Sequence, residues 1–187
     1  MVMNFSKLNR LIEVMRIRGV KVLVHWSVLL IGAIILLGSV EDPFLAFVVL
    51  FSYYGVILIH ECGHMIAAQK KGCAVLSIEL YPIWGITYFS EPYSNYDRCI
   101  IAWGGVIAQA VVAIPLIALV ELFGYSRFQP MNALFAILGF FSVGIALFNL
   151  LPIRPLDGAI AWVLLPALLK RPPAPPPKRE SGWRSWR

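Results

Sequence analysis

Residues 44–68 read FLAFVVLFSYYGVILIHECGHMIAA. The stretch is long and apolar enough to cross a bilayer as one helix, since about 20 apolar residues cover a hydrocarbon core of roughly 30 Å. Near its C-terminal end it carries His60, Glu61 and His64. Ionisable side chains inside an apolar span are costly unless they pair or bind something. On a helix, positions i and i+4 share one face, so both imidazoles reach one ion. Glu61 is rotated by about a third of a turn and can touch a water on that ion. The pattern His60-Glu61-Cys62-Gly63-His64 is HExxH, and it points to zinc.

The rest of the chain has the same solvent preference. Of 187 residues, 59% are hydrophobic and only 14% are charged, and the mean hydropathy is +0.77. Soluble domains carry about 25% charged residues. Leu23–Val40, Ile100–Phe123 and Met131–Leu151 are further spans by length and composition, and Ala159–Leu169 is apolar but too short to span alone. The expected fold is therefore an all-α integral membrane protein with about four transmembrane helices and a short re-entrant helix. No small-residue cleavage site follows the first apolar run, so a cleavable signal peptide is not expected.

The net charge of +6 does not indicate a nucleic-acid partner, because of where the charge lies. Lys7, Arg10, Arg16, Arg18 and Lys21 precede the first apolar run, Lys70, Lys71 and Arg98 sit in the middle connection, and Lys170, Arg171, Lys178, Arg179, Arg184 and Arg187 close the chain. The other connections carry Glu41 and Asp42, and Glu121 with Arg127. Basic residues that fall in every second connection follow the positive-inside rule. They place both termini and the middle connection in the cytoplasm, with the plasma membrane as the expected location. Cys62, Cys73 and Cys99 then face a reducing compartment and form no CxxC pair, so a thiolate zinc site is not expected.

Three regions follow from composition. Residues 1–21 are a basic lead with the character of an amphipathic surface helix, 22–169 form the transmembrane core, and 170–187 are a tail whose Pro172, Pro173, Pro175, Pro176 and Pro177 favour a stiff polyproline spacer. Within the core, residues 73–90 are rich in strand formers such as Val75, Ile78, Ile83, Ile86 and Tyr88, with Pro82 and Gly85 supplying a turn. They predict a small membrane-associated β-hairpin, which must lie against protein or a wet cavity because bare strands cannot face lipid.

A catalytic zinc keeps three protein ligands and one open position. His25, beside Trp26 at the start of the first run, suits an interfacial role. Asp157 is the stronger candidate for the third ligand. It lies in Asn149-Leu150-Leu151-Pro152-Ile153-Arg154-Pro155-Leu156-Asp157-Gly158, where two prolines and a glycine break the helix as an ionisable residue enters the apolar region. Broken segments of this kind are tolerated where they line a cavity.

HECGH on one apolar run, with NLLPIRPLDG near the end of a later one, resembles the site-2 protease family of intramembrane zinc metalloproteases, over most of residues 20–165. The resemblance implies that His60, His64 and Asp157 hold Zn2+, that Glu61 is the catalytic base, and that Asn149, with Pro152, contacts the substrate. Two positions depart from the family pattern. Ala159 stands for a usual glycine, and Gly104-Gly105-Val106-Ile107-Ala108-Gln109 stands where many members have a GPxxN-like run. Gln109 either takes that asparagine's place near substrate or hydrogen-bonds between helices. Gly104 and Gly105 suit close helix packing. The absence of a PDZ-like insertion resembles the compact branch of the family.

The function expected is hydrolysis of peptide bonds in or near transmembrane segments of membrane-protein substrates. The expected partners are that substrate and the lipid bilayer, with a homo-oligomer or a regulatory membrane partner left open. Two other classes compete: a catalytically silent scaffold of the same fold, and a metal transporter. The transporter requires neither a glutamate directly after the first histidine nor a PLDG segment, and the scaffold does not require all four site residues.

Overall fold

The computed structural model describes residues 11–38 and 41–162. The Pro-rich tail, the first ten residues of the basic lead, and residues 163–169 of the expected short helix lie outside them. The chain runs through two strands, β1 (Leu11–Ile17) and β2 (Val20–His25), and two helices, α1 (Ser27–Gly38) and α2 (Pro43–Lys70). Two more strands follow, β3 (Val75–Leu80) and β4 (Gly85–Phe89), then α3 (Asn95–Phe123), α4 (Gln129–Asn149) and the short α5 (Gly158–Ala161).

Among the described residues, three helices are long and apolar enough to cross a membrane: α2, α3 and α4. Two of them, α2 and α3, begin at side-chain caps. The Asp42 carboxylate accepts from the Leu45 N–H at 2.9 Å ahead of Pro43, capping α2. The Ser94 hydroxyl accepts from the Asp97 N–H at 3.1 Å, capping α3, and Gly124, at φ 77°, ends it. Side-chain caps satisfy backbone donors that a helix start leaves without partners. The middle of α4, Ala136–Phe141, winds as a π-helix.

The expected first span is corrected. Its beginning belongs to β2, and the remaining helix α1 has only 12 residues, about 18 Å at 1.5 Å per residue, well short of the bilayer core. Val20, Val22 and Val24 alternate with Lys21 and Leu23, a period-two pattern of β-branched residues that suits a strand. The basic lead is corrected for the same reason: Leu11–Ile17 is a strand, not an amphipathic helix. Arg18 (φ 50°) and Gly19 (φ 84°) form the two-residue turn to β2, both in the left-handed region that tight hairpins of this hand require.

The all-α expectation is corrected as well. The hairpin expected within 73–90 is present as β3 and β4, but it is half of a four-stranded sheet ordered β1-β2-β3-β4. β1–β2 and β3–β4 pair antiparallel, and β2–β3 pair parallel with Lys21 opposite Ser77 and Val24 opposite Leu80. The crossover between the parallel strands is α1 and α2. One face of the sheet presents Val20, Val22, Ile78 and Leu80 to Met65, with Ile57, Leu58 and Ile66 of α2 packed around them. That apolar contact fixes the sheet against the half of α2 that carries the histidines.

α2 and α3 meet backbone to backbone. A Cβ placed on Gly63 would overlap the Gly104 carbonyl and lie 2.7 Å from the Ala108 Cβ, and one on Gly104 would lie 2.6 Å from the Gly63 carbonyl oxygen. Small residues that let helices approach this closely are a main device of membrane packing. Gly63→Val should therefore lower the thermal midpoint of the detergent-solubilised protein by an amount equivalent to about 1–3 kcal/mol or more, as overpacking does. Gly38→Ala, where a Cβ meets nothing within 4 Å, should leave the midpoint within about 0.5 kcal/mol of wild type. Equal midpoints for the two variants would refute the close crossing.

Candidate active site and metal centre

The crossing of α2 and α3 sets the surroundings of both histidines. A Cβ on Gly105 would lie 2.6 Å from the His60 Cε1 and 2.7 Å from the His64 Nε2, so only glycine lets α3 pass at this level. Each imidazole is 7% exposed. The His64 Nδ1 lies 2.7 Å from the Ile101 carbonyl oxygen, one bond across the same interface. A carbonyl only accepts, so that nitrogen is the N–H donor and the His64 Nε2 is left for a ligand role. The His60 Nδ1 lies 2.9 Å from the Gln109 Oε1.

Asp157 arrives from the other side. α4 ends at Asn149, and the chain turns through Pro152 and Pro155 before Asp157 opens α5, with the Asp157 carbonyl accepting from the Ala161 N–H at 2.8 Å. A Cβ on Gly158 would overlap the Leu150 carbonyl and sit 2.5 Å from that of Leu151, so glycine is what lets α5 fold back on the end of α4. α3 grips the same segment: the Trp103 indole donates to the Ala161 carbonyl at 3.1 Å and the Cys99 thiol to the Ile160 carbonyl at 3.1 Å. The Trp162 indole donates to the Leu150 carbonyl at 2.6 Å.

The result is a tight triangle of donor atoms. The Asp157 Oδ2 lies 3.0 Å from the His60 Nε2 and 3.1 Å from the His64 Nε2, and the two Nε2 atoms are 3.0 Å apart. Bonds of about 2.0–2.2 Å to a tetrahedral zinc separate its ligands by about 3.3 Å, so the triangle matches one zinc-sized ion to within a few tenths of an ångström. These three are a group that could hold a metal. Two imidazole nitrogens and a carboxylate oxygen are a donor set that suits zinc.

Glu61 is 4% exposed and stands beside the triangle. The Thr87 hydroxyl lies 2.7 Å from its Oε2 and 3.1 Å from its own carbonyl oxygen. Gly85 approaches so closely that a Cβ would lie 2.7 Å from the Glu61 Oε1 and overlap its Cγ. β4 thus orients the glutamate, through one hydroxyl and one missing side chain. A cavity of about 780 Å³ joins these groups. Its walls include Ile57, Ile83, Trp84, Ile86, Ile145 and Phe148, and its polar lining includes His60, Glu61, His64, Asp157, Asn149 and Arg98.

Of the residues singled out in the sequence, His60, His64 and Asp157 converge, and Glu61 and Asn149 line the same cavity. Pro152 is exposed and outside the lining, and Gln109 is fully buried behind His60, away from the cavity. Sequence reasoning missed Thr87, Gly85 and the Ile101 carbonyl. A threonine or glycine in a predicted hairpin carries no sign of which helix it will face. Gly105 did have a signal, its place in a glycine pair, but that signal pointed to packing alone.

No protein-family model matches the chain. A zinc metalloprotease of Methanocaldococcus jannaschii is 28% identical over 158 residues, which is 81% of this chain and 44% of that protein. A Synechocystis protein with a provisional zinc-metalloprotease name is 28% identical over 116 residues, 58% of this chain and 30% of that protein. The chain thus spans less than half the length of either curated relative. The solved structure of the Site-2 Protease from Methanocaldococcus jannaschii superposes with a TM-score of 0.66 at 22% identity, over 86% of this chain and 72% of that one, and so has the same fold. The chain therefore shares that fold and is similar, over part of their length, to two proteins named as zinc metalloproteases.

Proposed function

We propose that this chain is an intramembrane zinc endopeptidase that cuts membrane-protein substrates in or near their transmembrane segments. The observation that carries the reading is the triangle of His60, His64 and Asp157, with Glu61 beside it in a cavity walled by apolar spans. When bound, zinc would supply Lewis acidity, lowering the pKa of water and polarising the scissile carbonyl. His60, His64 and Asp157 would hold it and leave a fourth position open.

The rest is the work of the chain's own groups. Glu61 takes the proton of the attacking water and delivers it to the leaving amine. Thr87 holds one carboxylate oxygen of Glu61 and fixes its direction. A peptide bond inside a helix is shielded, so the substrate segment must be extended to be cut. β4 is an edge of the sheet and its residues line the cavity, which suits pairing with an extended segment by strand addition. Asn149, which also lines the cavity, would hydrogen-bond the substrate backbone, and the apolar walls would accept its side chains.

Orientation follows from charge. The sheet with Arg16 and Lys21, the α2–β3 connection with Lys70 and Lys71, and Arg98 belong to one side, which we assign to the cytoplasm. Asp42 and Glu121 belong to the other. The plasma membrane is the proposed location.

Three results test this reading. Glu61→Gln should keep zinc at about one per chain and lose cleavage of a transmembrane substrate in proteoliposomes, whereas Asp157→Ala should lose both. Cleavage by Glu61→Gln at near wild-type rate would end the base assignment, and undiminished zinc in Asp157→Ala would end the ligand assignment. Thr87→Val should keep zinc but slow turnover by about tenfold or more, the worth of a hydrogen bond to a charged group; an unchanged kcat would remove Thr87 from the machinery. Reporter fusions at Gly72 should read cytoplasmic and fusions at Gln129 external, and the opposite result would invert the proposed orientation.

A further inference from the structure

Gln109 is 0% exposed on a helix that crosses the membrane, and it does not border the cavity. An amide buried in apolar surroundings is costly unless its hydrogen bonds are made. Its two ends meet two different helices. The Nε2 faces the Ser142 carbonyl oxygen of α4 at 3.4 Å, and the Oε1 faces the His60 Nδ1 of α2 at 2.9 Å. Ser142 is the residue that follows the π-helical turn, and a backbone carbonyl has a second lone pair free for such a contact.

These contacts allow one assignment of hydrogens. A carbonyl oxygen accepts and cannot donate, so the end of Gln109 that faces Ser142 is the amide NH2. The end that faces His60 is then the carbonyl, another acceptor. In the neutral ring the His60 Nδ1 must therefore carry the proton, which leaves its Nε2 bare. That bare nitrogen is the one 3.0 Å from the Asp157 Oδ2. Without an acceptor at Nδ1, the neutral ring would instead keep its proton on Nε2 and donate it to Asp157, a hydrogen bond in the place a metal bond needs.

We infer that Gln109 is a positioning residue for the metal centre: it transmits the polarity of the Ser142 carbonyl to His60 and fixes the tautomer whose Nε2 can bind zinc. The inference rests on the zinc reading above for its purpose, but not for its geometry. His64 needs no such relay, because its Nδ1 meets the Ile101 carbonyl directly. The two ligands of one motif are therefore set by different means, one by backbone and one by a single exchangeable side chain.

The test uses the full chain in detergent with 15N-labelled histidine. The chain has three histidines, so the spectrum is simple to assign with one-residue variants. In zinc-free wild type, the neutral His60 ring should show a protonated Nδ1 and a bare Nε2. In Gln109→Met, of similar length but without polar atoms, the proton should move to Nε2, and zinc affinity measured by chelator competition should fall by about 10- to 100-fold, as losing such a partner does. Gln109→Glu in its protonated form keeps both an acceptor for Nδ1 and a donor for Ser142, and should restore the wild-type tautomer and affinity. A role as interhelical glue alone predicts a lower melting temperature in Gln109→Met with tautomer and affinity unchanged, and that result would overturn the proposal. Should Gln109→Met fail to fold, a neutral His60 ring with its proton on Nε2 in zinc-free wild type would overturn it equally. A wild type with the expected tautomer but no zinc affinity would defeat the zinc reading and leave the relay standing.

Discussion

Backbone contact between α2 and α3 at Gly63 and Gly104 sets the distances on which the site depends. With the two helices this close, Gly105 touches both imidazoles, the Ile101 carbonyl reaches His64, and Gln109 reaches His60. Any side chain at the crossing would push α3 outward and break all three relations together. In lipid there is no hydrophobic force between helices, so close packing and interhelical hydrogen bonds must supply the association. Here the same interface supplies both, and the polar bonds that join the helices are also the ones that aim the two histidines.

The sheet is the second support, and it acts on Glu61 as α3 acts on the histidines. Its apolar face is pressed on Met65 and its neighbours, so β4 is held at a fixed height along α2. Gly85 and Thr87 fall on the face turned to that helix, because they pair with Leu80 and Ile78, both buried there. The tip between β3 and β4 is anchored too: the Tyr53 hydroxyl of α2 donates to the Pro82 carbonyl at 2.9 Å, and the Tyr81 ring stacks between His25 and Trp84. The cavity wall formed by Ile83 and Trp84 is therefore tethered at both ends.

Much of this was legible in the sequence, and the failures share a cause. HExxH placed two histidines on one helix face, and the helix-breaking run around Asp157 marked a polar residue returning to an apolar region. Three long helices were visible as continuous apolar mass. Hydropathy measures amount and not period, however, so Leu23–His25, the end of β2, merged with α1 into one apparent span, although the alternation of valine with lysine and leucine over Val20–Val24 is that of a strand. The hairpin turn at Arg18-Gly19 was equally available and was masked by reading the basic residues as a surface helix. Gln109 was visible as a polar residue in a span, but its partners lie on two other helices and no local pattern names them. Thr87 was hidden for the same reason.

The parallel pairing of β2 with β3 also governs the order of assembly. Lys21 finds Ser77 only after α1 and the whole of α2 have been made. Until then the β1–β2 hairpin has an open edge and its valines lack their cover, while α2 already carries two histidines and a glutamate with none of their partners. Closing so long a loop costs entropy before any contact repays it. The nascent chain therefore passes through a stage in which its most polar span is also its least supported, and this lasts until Thr87, Gln109 and Asp157, all later in the chain, have been made.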